Sequence, residues 1–273
     1  MNLSGEIRKA AAFLLRDLQL AMGYPLKFAS QLVGILASTF MFYYISRLVD
    51  QNGSGSLAAY GGNYFPFLLV GIALSDYLMF SINALSNEVR KAQVIGTFEA
   101  ILVTPTHPSL ILFSSCLYSF LFTSVRILFY FLAGTVLFGV RFPPISLSAL
   151  TVSLILTILP FLGIGLLSAA IIIVFKQGNP LTWIFGSFSG LLSGVFYPVS
   201  VLPHWLQPFA AFIPLTYGLD AVRKVLLTGA GILEVSHQLL VLLFFSIVFL
   251  GVGLAAVAYA LKIARKDGTL LYY

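Results

Sequence analysis

Apolar stretches without a single Asp, Glu, Lys or Arg dominate this chain: 28–46, 51–75, 100–125, 142–175, 177–219 and 235–261. A helix needs about 20 apolar residues to cross the hydrocarbon core of a bilayer. The stretches therefore predict six transmembrane helices, at 28–49, 63–85, 109–138, 148–175, 181–197 and 237–261. The third and fourth exceed the minimum, which predicts tilt or projection from the bilayer. Ahead of the first, residues 3–22 repeat apolar side chains at helical spacing (Ile7, Ala10, Ala11, Leu14, Leu18), while Arg8, Lys9 and Arg16 fall mostly elsewhere. Such a basic amphipathic helix, spanning 1–27 with its linker, lies along the cytoplasmic interface or extends the first span.

Composition agrees with this pattern. Of 273 residues, 59% are hydrophobic and 9% charged, against roughly 25% charged in soluble domains. So few charges cannot cover the outside of a water-soluble body of this size, which excludes a soluble enzyme and a disulfide scaffold; Cys116 is the single cysteine. The net charge of +6 comes from scattered basic residues, so it marks membrane orientation and not nucleic-acid binding. With the N-terminus inside, ten basic residues fall on the cytoplasmic side, while Arg47, Arg141, Arg223 and Lys224 fall outside. The expectation is a multi-pass protein of the cytoplasmic membrane, all-α, with both termini cytoplasmic and an uncleaved first span.

Three segments are not plain spans. Residues 87–108 join the second and third spans and mix Glu88, Arg90, Lys91 and Glu99 with Val94, Ile95, Phe98, Ile101 and Leu102. This predicts a short amphipathic helix that offers two faces to a cytoplasmic partner. Between 198 and 234, Pro198, Pro203, Pro208 and Pro214 break an apolar run, so no straight span passes through. An external helical hairpin dipping into the outer leaflet is expected there, followed by a short helix with Asp220 and Lys224 paired at i, i+4. Gly186, Gly190 and Gly194 recur every four residues and predict a packing face, within one subunit or between two copies.

Two charges lie within spans. Asp76 sits about 18 Å and Arg126 about 25 Å from the cytoplasmic starts of their segments at helical rise. An ion in lipid needs a partner or a cavity; the two either pair for packing or line a polar translocation path. The chain has no G-x-x-x-x-G-K-[ST] phosphate loop, zinc-ligand cluster or dinucleotide fingerprint, so uphill transport would draw energy from another chain or from a gradient. A serine-protease elbow is absent as well, since the serines around Gly190 read G-x-x-S-G.

In order and sidedness these features resemble the membrane subunit of an ABC-2 type exporter. Residues 96–105, GTFEAILVTP, are similar to that family's G-T-x-E-x-x-L-x-T-P cytoplasmic segment. Ser193-Gly-Val-Phe-Tyr-Pro198 with Pro203, Pro214-Leu-Thr-Tyr217 and Asp220-Ala-Val-Arg223 is similar to its C-terminal signature. The resemblance implies that two copies of this chain join two copies of a separate ATP-binding subunit, which holds the ATP and Mg while this chain carries no cofactor or catalytic residue. It implies that Gly96, Thr97, Glu99, Thr104 and Pro105, flanked by Arg90 and Lys91, form a coupling helix docked on that ATPase. It also implies export of a lipid-linked, glycolipid or amphipathic substrate. The few polar positions in the first span favour a lipid or amphipathic substrate over a long hydrophilic polymer. Two rival classes remain open: a gradient-driven secondary transporter using Asp76, which would show broken helices in both halves, and a non-transporting assembly factor, which would need no docking segment.

Overall fold

The computed structural model describes residues 12, 14–16, 18–19, 23, 25–50, 55–96, 108–175 and 180–266. The expected interfacial helix at 1–27 falls mostly outside these. Eight helices follow in chain order: α1 Pro25–Asp50, α2 Tyr64–Ile95, α3 Pro108–Phe138, α4 Leu147–Phe175, α5 Pro180–Leu192, α6 Gln207–Ala211, α7 Pro214–Arg223 and α8 Ser236–Lys266. No strand occurs among the described residues. Five of the helices (α1, α2, α3, α4 and α8) are long and apolar enough to cross a membrane.

The core forms where α4 lies between α2 and α8. Ile164, Ile172 and Ile173 of α4 are buried against Leu78, Ile82, Leu85 and Val89 of α2 and Val257 and Ala260 of α8. Glycines make these crossings close. A Cβ on Gly163 would sit 2.4 Å from the carbonyl carbon of Phe249, and one on Gly165 would sit 2.7 Å from the Ser81 carbonyl oxygen. Gly253 meets the Gly163 carbonyl oxygen in the same way, at 2.5 Å. Backbone packed on backbone suits association in lipid, where apolar side chains gain little over lipid tails. Replacing Gly163 by Val must push α8 off α4, and the expected cost is about 3 kcal/mol. Thermal unfolding in mild detergent checks this; an unchanged midpoint would contradict the crossing.

α1 and α3 flank α2 on its other side through Ile35, Phe65, Leu69, Ala73 and Tyr130. The C-terminal ends of α1 and α3 are stitched by aromatic contacts, with Tyr43 4.3 Å and Phe65 5.3 Å from Phe138, centroid to centroid. The remaining faces of α1 and α8 expose large apolar side chains such as Val33, Met41, Leu240 and Ile247.

Three expectations change. The second helix does not stop at Leu85; α2 continues without interruption to Ile95 and ends on Gly96, whose φ of 77° places its N–H on the Ala92 and Gln93 carbonyls. The first half of the 87–108 segment is thus the end of a spanning helix. The fifth span, expected at 181–197, is the 13-residue α5, which stops at Leu192. At helical rise it reaches about 20 Å, short of a crossing of about 30 Å. Gly194 accordingly lies in a left-handed turn (φ 84°) beyond the helix, and a Cβ on Gly190 would meet nothing within 4 Å. Of the three glycines, Gly186 packs within the subunit against the Met79 side chain and Gly194 against Val199 and the Tyr197 carbonyl.

After that turn the prolines act as starters and stoppers. Pro198 precedes the turn Val199–Val201, Pro203 accepts the backbone N–H groups of Leu206 and Gln207, Pro208 opens α6 and Pro214 opens α7. Each stands where a missing N–H costs nothing.

Candidate functional site

Asp76 on α2 and Arg126 on α3 meet at span depth. Arg126 Nη2 donates to Asp76 Oδ2 at 2.7 Å, with the two side chains 27% and 30% exposed respectively. Of the two readings left open by the sequence, pairing is therefore observed, and the pair is still partly open to its surroundings. Hydroxyl contacts flank it: Tyr77 Oη and Ser124 Oγ lie 2.6 Å apart, and Tyr130 Oη lies 3.5 Å from Ser38 Oγ on α1. One turn further along α2, Phe80 packs edge to face with Phe120 at 5.2 Å.

At 100° per residue, Asp76, Asn83, Asn87 and Arg90 fall within about 60° of one another around α2. The opposite face holds the buried Leu74, Leu78, Ser81, Leu85 and Val89. Asn83 is partly buried, whereas Asn87 and Arg90 are exposed. One face of a helix otherwise committed to the core is thus a polar row running from the ion pair to the C-terminal end of α2. There Lys91 approaches Glu88 at 3.9 Å, one turn apart. Arg90, Lys91 and Gly96 therefore sit at the end of α2, while Thr97, Glu99, Thr104 and Pro105 lie outside the described residues.

A second polar cluster closes the opposite end. Arg223, counted by the sequence among external charges, is only 2% exposed. Its Nε donates to the Phe67 carbonyl at 3.1 Å, and Nη1 and Nη2 donate to the Gly194 and Val195 carbonyls at 2.7 Å each. The guanidinium also lies 3.4 Å from the centroid of the Phe67 ring. The side chain thereby fastens α7 to both α2 and the turn after α5. Gly71 leaves room for this: a Cβ there would stand 2.3 Å from the Val195 carbonyl oxygen and 2.5 Å from Arg223 Nη2. Tyr64 Oη adds a bond to the Phe196 carbonyl at 2.7 Å.

One turn earlier, Asp220 accepts from Tyr60 Oη (2.8 Å), Lys224 Nζ (3.0 Å) and Gln238 Nε2 (2.6 Å). The loop before α2, the turn after α7 and the start of α8 are thus tied to one carboxylate. Burial, and then the carboxylate beside it, raise the Tyr60 phenol above its ordinary range, so it stays a donor. Tyr217 packs instead on Phe245, at 6.2 Å. The sequence pointed to the Asp220–Lys224 pair but gave no sign of Tyr60, Gln238 or the carbonyl cage, all of which depend on contacts more than ten residues apart.

No phosphate loop or metal-binding group of His, Cys, Asp and Glu is present among the described residues. What the arrangement provides is a helical bundle with a polar seam on one side and a pinned segment between α5 and α8. The model of the family described as ABC-2 type transporter matches residues 10–227 of this chain. The chain belongs to the ABC-2 type transporter family. With five helices long and apolar enough to cross a membrane, it is a multi-pass membrane protein of that family. Among curated proteins, the ABC-2 chain is similar to the linearmycin resistance permease protein LnrN of Bacillus subtilis (strain 168), with 27% identity over 120 residues. That match covers 44% of this chain and 31% of the permease, so the chain spans less than a third of that relative's length. The family match includes the Asp76–Arg126 pair and the Arg223 cage.

Proposed function

We propose that this ABC-2 subunit moves a lipid-linked, glycolipid or amphipathic substrate outward across the cytoplasmic membrane, as two copies driven by two ATP-binding subunits. The observation that carries this reading is the Asp76–Arg126 pair. A charge pair at span depth that is still 27–30% exposed is costly against lipid tails, so its open side belongs on a polar path or a protein partner. The polar row below it, ending at Arg90, gives that path a direction toward the cytoplasm. A relative named as a resistance permease supports outward transport, the direction that confers resistance.

In this reading both termini are cytoplasmic. α5 and the segment from Gly194 to Arg223 together make the fifth crossing element and the external hairpin. Residues 96–105 are the coupling helix, and ATP with Mg is bound and hydrolysed on the partner. Because α2 runs unbroken from Tyr64 to Ile95, a push on the coupling segment is delivered along one rigid rod to Asp76. A gradient-driven carrier would instead need Asp76 free to exchange protons, and its bond to Arg126 weighs against that use.

The test is Glu99→Arg in the assembled transporter. Substrate-stimulated ATP hydrolysis should fall about tenfold while the amount of inserted protein stays constant, since the docking face and not the bundle is changed. Unchanged transport would remove Glu99 from the coupling role.

A further inference from the structure

The C-terminal ends of α2, α4 and α8 lie together, because Val89, Ile173 and Ala264 share one buried cluster. Basic side chains are exposed there on two helices: Arg90 and Lys91 on α2, Lys262 and Lys266 on α8. Glu88, beside Lys91, is the one acidic residue described on those ends. Neither Lys262 nor Lys266 forms an ion pair among the described residues.

The same helix α8 carries an unpartnered apolar stripe. Phe244, Val248, Val252 and Tyr259 are 63%, 40%, 51% and 67% exposed. At 100° per residue, these four and the two lysines all fall within about 60° of Tyr259 around the helix. One face thus runs apolar for about 22 Å, ends on a tyrosine and turns basic over the next two turns. The lysines stand one turn apart, about 6 Å along the axis, so both ammonium groups can reach one phosphate. Cations anywhere on the last turns would suit the helix dipole; that reason does not put both on the apolar stripe.

This order along one face decides the occupant. A bilayer offers hydrocarbon, then a boundary favoured by tyrosine, then headgroup phosphates. A water-soluble partner would meet the lysines but not the stripe. A second copy set against this face by a twofold axis along the bundle would bring the same lysines together, like charge on like charge. An anionic leaflet supplies the sign of charge that these exposed cations lack.

We infer that the C-terminal end of α8 holds the phosphate of an anionic phospholipid between Lys262 and Lys266, with its acyl chains along Tyr259, Val252 and Val248. This lipid is a fixed neighbour of the bundle and not its cargo, so the inference stands apart from the transport reading.

The experiment uses the full chain, with any subunit that co-purifies, in lipid nanodiscs. Two photoreactive probes, phosphatidylglycerol and zwitterionic phosphatidylcholine, carry the same diazirine-bearing acyl chains. Labelling of the 244–266 stretch is read by mass spectrometry. The phosphatidylglycerol probe should label about tenfold more, and molar salt should remove most of that advantage. Lys262→Gln with Lys266→Gln, both helix formers at exposed positions, should bring its labelling down to the phosphatidylcholine level. Lys262→Arg with Lys266→Arg keeps both charges and should stay within about twofold of wild type. Arg90→Gln with Lys91→Gln removes as much charge from the same end but off the stripe, and should also stay within about twofold. Equal labelling by the two probes, undiminished labelling of the Gln pair on α8, or an equal loss in the α2 pair would each overturn the inference. So would loss of a co-purifying protein from the α8 Gln pair with lipid labelling unchanged, which would assign the lysines to that protein. Failure of the transport reading shows separately, as absence of an ATPase, because labelling is read on this chain alone.

Discussion

Arg223→Met is expected to be the most damaging single substitution outside the core helices. It removes the three bonds to the Phe67, Gly194 and Val195 carbonyls and the contact with the Phe67 ring. The carbonyls are left inside a region where Arg223 is 2% exposed, so water does not readily replace it. At about 1–3 kcal/mol per stranded buried group, the loss exceeds about 4 kcal/mol. Arg223→Lys should recover only part of this: a single ammonium cannot reproduce the planar fork that reaches three carbonyls on two segments. Lys224→Met, which breaks a part-exposed bond to Asp220, is the matched control and should cost under about 1 kcal/mol. Unfolding midpoints and monodisperse yield in mild detergent measure all three. A wild-type midpoint for Arg223→Met would mean that the cage does not hold the external segment in place.

The second large effect concerns Asp76. Asp76→Leu leaves Arg126 charged at span depth without its 2.7 Å partner, and the expected destabilisation is about 3–5 kcal/mol. Adding Arg126→Leu should restore most of that stability, because two apolar side chains suit the surroundings better than one unmatched ion. If the pair served packing alone, the double variant would transport as wild type does. As part of a pathway it should fold, assemble and fail to respond to substrate. Stability and transport measured on the same three proteins therefore separate the two roles.

Both predictions bear on what a sequence can disclose. The depth of Asp76 and Arg126 followed from counting residues along helices, and the pair was legible because a charge in an apolar run stands out. Arg223 carried the same chemistry but was read as an external orientation charge. It follows a proline-broken segment whose path no periodicity describes, and its acceptors are backbone carbonyls, which every residue has. The boundary of α5 was missed for a related reason. Hydropathy stays high from 181 to 197, while the turn at Gly194 is decided by backbone conformation and by the bonds that Arg223 makes to it. Glycine spacing in the same region does not locate the close crossings within the subunit: Gly186, Gly190 and Gly194 have the regular interval, yet the tightest backbone approaches occur at Gly71, Gly163, Gly165 and Gly253. Which glycine is needed depends on what crosses it, and that is set by the partner helix.

The unbroken α2 links these observations. Its buried face packs on α4, its open face carries the polar row, its N-terminal part is held through Phe67 by Arg223, and its C-terminal end precedes the segment proposed above as the coupling helix. In the proposed function, a rod fixed at one end and driven from the other can move its middle, where Asp76 lies, against α3. That the drive comes from an ATP-binding subunit is the central claim. The most direct measurement is affinity purification of this chain from native membranes in mild detergent, with mass spectrometry of the bound proteins. An ATP-binding-cassette protein at a one-to-one ratio is the predicted result. Recovery of the chain without any ATPase, across several gentle detergents, would contradict it and make a gradient-driven carrier the reading to pursue.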